Sequence, residues 1–212
     1  YQRRWNEAAM HAPGLHPLLH ALLASTGAVF LAADLFNLYV WFELMLISVL
    51  GLLVLGGARP HREAAFKYFA VSMLGTLLLL VAVGLLYGAT GQLNFAALRE
   101  AALRPELAGA LPVYVGLLLL AFLLKAGAFP LFTWLPASYH TLPAPLLALV
   151  GGLLTKVAAY VLLRLLGDVF VAAPGMLIET LGWLAAITML TGVLGAAYHW
   201  DVRRILAFHI VS

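Results

Sequence analysis

Six apolar runs of roughly bilayer-crossing length follow one another along this chain, and a seventh opens at its end. They cover residues 15–33, 37–55, 66–88, 113–135, 142–167 and 176–198, then 203–212. Few folds accept such a pattern. An α-helix needs about 20 consecutive apolar residues to cross a bilayer, and none of the runs alternates at the period of two that a membrane β-strand requires. Composition agrees: 64% of the 212 residues are hydrophobic and 10% are charged, against about 25% charged in a soluble domain. The sequence therefore predicts an all-α, polytopic transmembrane helix bundle, multi-pass in the cell inner (plasma) membrane, with the lipid bilayer as its solvent.

Several function classes fall away at once. There is no cysteine, so the chain holds no disulfide and no thiolate-ligated metal or iron–sulfur centre. The net charge of +3 is scattered over many loops, without a basic tract, so nucleic acid is not an expected partner. His16 and His20 stand four apart on one helix face but lack a third ligand, and Gly84, Gly88 and Gly91 do not spell a phosphate loop. Neither a cofactor nor a metal site is expected.

The links between runs read as turns. "GGARPHRE" stops the second run with glycines, a proline and charges, "LPASYHTLPAP" is a rigid crossing with three prolines, and "AAPG" at 172–175 ends the fifth. "ALREAALRPELAGALP", residues 97–112, is expected to form a short amphipathic surface helix. Basic residues then orient the bundle. Arg3, Arg4, Arg59, Arg62, Lys67, Arg203 and Arg204 fall on one side. Arg99, Arg104 and Arg164 fall on the other, offset by Asp34, Glu100, Glu106, Asp168 and Glu179. The residue-1 side is expected to be cytoplasmic. The chain starts at Tyr1 and stops part-way into an apolar pattern, which reads as the middle of a longer protein.

Three charges fall inside the runs: Glu43, Lys125 and Lys156. Each costs about 2.5–3.5 kcal/mol when central and unpaired, so such residues are expected in pairs, in cavities or on ion paths. Pro130 follows Lys125 by five residues, with Gly127 between them. A proline inside a run breaks the helix, and free backbone groups beside Lys125 are expected to face a polar cavity. Gly151, Gly152 and Thr155 beside Lys156 suit close helix packing. His140 sits in the proline-rich crossing, and His209 lies in the seventh run. An opposite charge favours the charged lysine and desolvation the neutral one, so making and breaking a pair loads and releases a proton. The pattern points to proton translocation.

The stretches "DLFNLYVWFELMLIS", "EAAFKYF", "KAGAFPLFTWLPASYHTLPAP", "LLTKVAAYVLLR" and "DVRRILAFHIVS" span residues 34–212. Together they resemble the large antiporter-like membrane subunits shared by Mrp-type cation/proton antiporters, respiratory complex I and membrane-bound hydrogenases, and most of all the D-subunit branch of the Mrp group. The resemblance implies an inverted-repeat transporter of which this chain is a fragment. Residues 1–170 would hold the end of an N-terminal region and the first repeat, with its discontinuous helix at 113–135, and residues 171–212 the start of the second. It implies a buried glutamate at Glu43, the broken-helix lysine at Lys125 and a lysine passing protons toward the centre at Lys156. Lys67 would be a further lysine near the cytoplasmic side, and His209 a link in the central polar axis. Two positions depart from the family pattern. Ala137 stands where an acidic residue is common, and Phe132 where many members have histidine; both lower polarity near the cytoplasmic mouth of the broken helix.

The function so implied is the exchange of protons for Na+ or another monovalent cation by one subunit of a hetero-oligomeric membrane complex, as a secondary transporter rather than an enzyme. Two alternatives stay open from sequence. One is the proton-pumping membrane subunit of an NADH:quinone oxidoreductase-like complex. The other is a structural scaffold whose buried ions only lock helices together.

Overall fold

The computed structural model describes residues 8–171 and 175–212. Arg3 and Arg4, and residues 172–174 of the "AAPG" turn, lie outside them. Among the described residues the architecture is all-α, with one isolated β-bridge between Asp34 and Asn94 and no sheet.

Helices α1 (Leu15–Leu31) and α2 (Leu35–Val54) form an antiparallel hairpin. Asp34 makes the sharp reversal possible: its carboxylate accepts from the Phe36 and Asn37 amides at 2.8 and 3.0 Å, satisfying donors that a helix start leaves free. Helix α3 (Arg59–Thr90) has 32 residues, about 48 Å, well beyond the ~30 Å hydrocarbon core. It starts seven residues before the apolar run does. Pro60 suits a first helical turn, and Arg59 pairs with Glu63 at 2.7 Å, both exposed. Charges that read as a loop are thus the first turns of α3, a helix long enough to extend past the hydrocarbon core.

The surface helix expected over 97–112 is shorter and earlier. Helix α4 runs Phe95–Ala101, capped by Asn94, whose side chain accepts from the Ala96 amide at 3.0 Å. Phe95 and Leu98 are buried, while Arg99 and Glu100 are exposed. Pro105 cannot continue the helix and instead opens a separate 3-10 turn, Pro105–Leu107.

The fourth run is discontinuous. Helix α5 (Leu111–Ala126) ends at Gly127, whose φ of 71° lies in the left-handed region that glycine adopts without strain. The Ala128 amide closes the end on the Leu123 carbonyl at 2.9 Å. A 3-10 turn (Leu131–Thr133) and a short helix α6 (Trp134–Tyr139) complete the crossing. Helix α7 (Ala144–Arg164) runs into a π turn, Leu165–Val169. Helices α8 (Gly175–Ala197) and α9 (Val202–Val211) follow.

A continuous apolar core joins α1, α2, α3, α5 and α7, through residues such as Leu22, Leu38, Phe42, Leu79, Phe122 and Val150. Helix α8 is different: Thr188, Gly192 and Ala196 are its buried residues, whereas Trp183 is 67% exposed. The bundle ends differ too. Arg164 caps the last carbonyls of α1, donating to Phe30 and Ala32 at 3.2 and 2.5 Å, and lies over the Phe95 ring. Lys67, His140, His199 and Arg204 gather at the opposite end.

Candidate functional site

The six residues singled out by sequence fall into three places. The first is the centre of the bundle, where α2, α3 and α5 meet. Glu43 and Lys125, on α2 and α5, are both half-buried and point at the same residue of α3, Thr76. The Thr76 hydroxyl donates to Glu43 Oε1 at 2.7 Å, and Lys125 Nζ donates to Thr76 Oγ1 at 3.0 Å. Among the described residues no nitrogen of Lys125 comes within 4.0 Å of a Glu43 oxygen. The carboxylate and the ammonium face each other through one hydroxyl rather than as a contact pair.

Local sequence explains the approach. Gly75 precedes Thr76, and a side chain there would bring its Cβ to 3.1 Å from Leu124 and 3.5 Å from the Lys125 stem. Its absence lets α3 lie against α5 at the level of the site. The ammonium is also held by its surroundings. Lys125 sits in the last turn of α5, where the helix end carries partial negative charge. Its Nζ lies 5.2 Å from the centre of the Phe42 ring, a cation–π distance.

At the helix break the side facing Lys125 is a small cavity rather than the open polar cavity that the sequence predicts, whereas Leu123, Ala126 and Ala128 of the same break border a larger cleft. Trp134 Nε1 donates to the Leu124 carbonyl at 3.2 Å, and the Phe129 amide donates to Thr188 Oγ1 of α8 at 2.9 Å. Side chains, rather than solvent, satisfy these groups at the interruption. The space beside Lys125 is about 20 Å³, walled by Phe42, Tyr68, Ser72 and Trp134 among others. That is room for one water.

The second place holds Lys156 and His209. Lys156 is mid-helix in α7 but exposed rather than buried. It opens onto a cleft of about 690 Å³ that it shares with His209, Thr155, Leu123, Ala126 and Thr188. Its Nζ donates to Thr155 Oγ1 at 3.1 Å and to the carbonyls of Gly151 and Ile210 at 3.3 and 3.4 Å. No residue lines both this cleft and the small cavity at Lys125; Leu154 borders one and Thr155 the other. The structure thus brings Glu43 and Lys125 together and leaves Lys156 apart from them.

The third place is the end of the bundle where α1 and α3 begin. Lys67 and His140 line a cleft of about 290 Å³ with His199, Arg204, Phe132 and Phe208. Lys67 is exposed on α3, nine residues before Thr76, or about 13 Å along the helix. His140 Nδ1 donates to the Pro136 carbonyl at 2.7 Å. Burial holds the His140 imidazole below its ordinary pKa; the Pro136 carbonyl and Asp201 oppose this, and Arg204 and Lys67 reinforce it.

Sequence does not single out Thr76, Trp134 or Thr188. A threonine in an apolar helix is ordinary, and its usual partner is its own backbone one turn back. The nearest sequence signal for Thr76 is the adjacent Gly75, which marks a close helix approach.

Known proteins share this arrangement of sequence and fold. The family described as NADH:quinone oxidoreductase/Mrp antiporter, TM matches residues 32–212. The chain is 42% identical over 197 residues to the D subunit of the Na(+)/H(+) antiporter of Alkalihalophilus pseudofirmus, covering 93% of this chain and 40% of that protein. It is 41% identical over 174 residues to the D subunit of a probable K(+)/H(+) antiporter of Rhizobium meliloti, covering 81% and 32%. The structure of the Mrp complex from Dietzia sp. DQ12-45-1b contains a similar chain, with a TM-score of 0.82 at 33% identity, covering 92% of this chain and 37% of that one. The chain thus spans about two fifths or less of the length of these relatives.

Proposed function

The chain belongs to the NADH:quinone oxidoreductase/Mrp antiporter family, and from that premise we propose that it carries protons through a multisubunit antiporter that exchanges H+ for a monovalent cation, Na+ in the first instance. The observation that carries the reading is the alignment of Glu43 and Lys125 on one hydroxyl inside the bundle. Charges so placed in a membrane helix bundle mark ion and proton paths.

Protons enter at the Lys67–His140 end, which we take to be cytoplasmic-facing from its basic residues, or leave by it, according to the direction of exchange. Lys125 is the central carrier. Glu43 holds the ammonium while charged and releases it when neutralised. Lys156 and His209 take the proton onward, and the open cleft around them supplies room for the water that a step between separated groups needs. Residues 1–170 would form the first repeat with what precedes it, and 171–212 the start of the second. The exposed apolar face of α8 suits lipid or the other membrane subunits of the complex. The relatives' names give both Na+ and K+ as exchanged cations, so the cation is read by experiment.

That experiment is proton flux in everted membrane vesicles carrying the complete complex, started by Na+ or by K+, with and without Glu43→Gln. Loss of the Na+-started flux in a normally assembled Glu43→Gln complex is the expected result. Full flux in that complex overturns the reading, and a flux started by K+ alone replaces Na+ as the substrate.

A further inference from the structure

Hydroxyls on these helices mostly look to their own helix. Ser48, Thr90, Thr180, Thr188 and Thr191 each donate to the carbonyl one turn back. Thr76 does not. It is buried, yet its hydroxyl hydrogen goes to Glu43 Oε1 and its lone pair receives Lys125 Nζ. A hydroxyl that gives up the local bond to bridge two opposite charges on two other helices occupies a position that chain geometry alone does not favour. The two charges do not close the gap themselves, so the Thr76 oxygen is the shortest hydrogen-bonded connection between them.

We propose that Thr76 is the proton relay between Lys125 and Glu43. The inference rests on the reading of Lys125 as a proton carrier. The Thr76 O–H bond breaks as its proton forms a bond to Glu43 Oε1. One Lys125 N–H bond breaks as that proton forms a new O–H bond at Thr76. The products are a neutral amine, a neutral carboxylic acid and an unchanged threonine, so two charges disappear together inside a low-dielectric bundle, where isolated charges are costly. Afterwards the Thr76 hydrogen points at the amine. The hydroxyl must rotate back before the relay can run again in the same direction. The water-sized space beside Lys125, walled by Ser72 and Tyr68 among others, supplies a separate route by which the amine regains a proton. Lys125 therefore exchanges protons with two different neighbours, and Thr76 governs one of them.

The test uses the complete complex in everted vesicles, with cation-started proton flux expressed per assembled complex. Thr76→Val keeps the shape and removes the hydroxyl; flux is expected to fall about a hundredfold, the lower end of the range for a positioned proton-transfer group. Thr76→Ser restores the hydroxyl and is expected to recover most of the flux. Thr180→Val, which removes a hydroxyl bonded only within its own helix, is the control and is expected to be neutral. If Thr76→Val fails to assemble, Thr76→Cys takes its place, because a thiol is a weak donor and acceptor and is expected to be slower than Thr76→Ser. Full flux in Thr76→Val, or in Thr76→Cys, overturns the relay if Lys125→Ala is inactive. Thr76→Ser as slow as Thr76→Val also overturns it, by assigning the effect to shape. Full flux in Lys125→Ala overturns instead the reading on which the relay rests.

Discussion

Lys125 and Lys156 are the same residue type, each set within an apolar run, and the structure treats them in opposite ways. Lys125 is enclosed. It has a hydroxyl partner, an aromatic ring beneath it and space for one water. Lys156 is open, held by Thr155 and two backbone carbonyls at the wall of a cleft of about 690 Å³. An enclosed lysine with fixed partners can be switched by the state of those partners. A lysine held by carbonyls has no partner that titrates, so its proton is governed by what enters the cleft. A path needs both kinds of station: one that couples to a second charge, and one that hands on to water.

The contrast between the two lysines predicts an order of effects. Lys125→Ala is expected to cost the most, at least about a hundredfold in cation-started proton flux, because it removes the carrier and leaves Glu43 without its counter-charge. Lys156→Ala is expected to cost about tenfold, since water in the open cleft partly replaces it. Equal losses, or a larger loss for Lys156→Ala, would break the distinction between enclosed and open stations. Both are read per assembled complex, from quantified subunits in the same vesicles. A structural scaffold predicts instead lower assembly and unchanged flux per complex.

The next effect sharpens what encloses Lys125. Gly75→Val adds bulk where a Cβ alone would stand 3.1 Å from Leu124. Forcing α3 from α5 is expected to cost about 1–3 kcal/mol and to lengthen both bonds of Thr76. Flux per complex should fall together with thermal stability in detergent. The matching change near Lys156, Gly152→Ala, meets nothing within 4 Å and is expected to leave both unchanged.

Much of this is legible in the sequence for a simple reason: a bilayer imposes length. Apolar runs of the right size give the helices, and Gly127 and Pro130 give the break, because each acts on its own backbone. Glu43, Lys125 and Lys156 stand out because charge is rare in hydrocarbon. Their partners do not stand out. Thr76 and Thr188 belong to the commonest kind of polar residue in a membrane helix, and only packing decides which of them leaves its own backbone for another helix. Packing also decides that Lys156 is exposed while Lys125 is half-buried, although the two runs look alike in one dimension. The start of α3 is hidden for a different reason. Arg59–Glu63 looks like a loop when every charge is read as a membrane boundary, whereas a helix continues into water without penalty.

A smaller effect tests how the break beside Lys125 is sealed. Trp134→Phe keeps most of the ring packing against Tyr68 and Tyr139 but removes the Nε1 donor to the Leu124 carbonyl. A buried acceptor left without a partner costs about 1–3 kcal/mol. The expected outcome is a lower melting temperature with flux per complex largely retained. A stable Trp134→Phe complex would mean that water already reaches the Leu124 carbonyl, and the contrast between a sealed Lys125 and an open Lys156 would weaken.

The smallest effect concerns the third place, the cleft at the end of the bundle. His140 is packed against α9 and α3, and the charged and titratable groups facing it are Arg204, Asp201, His199 and Lys67. Burial lowers its pKa in the folded state below the unfolded value of about 6.5. The folded chain then binds fewer protons at this site than the unfolded chain does. Its contribution to stability is full above the unfolded pKa and is lost as pH falls below it, because the proton must be added against burial and against Arg204 and Lys67. Melting of the complex at pH 7.5 and 5.5 measures this. The parent is expected to lose more stability over that interval than His140→Gln, whose amide has no such titration. An equal loss in both would show that His140 is as easily protonated folded as unfolded, and the mouth of the bundle would then resemble the open station at Lys156 rather than the enclosed one at Lys125.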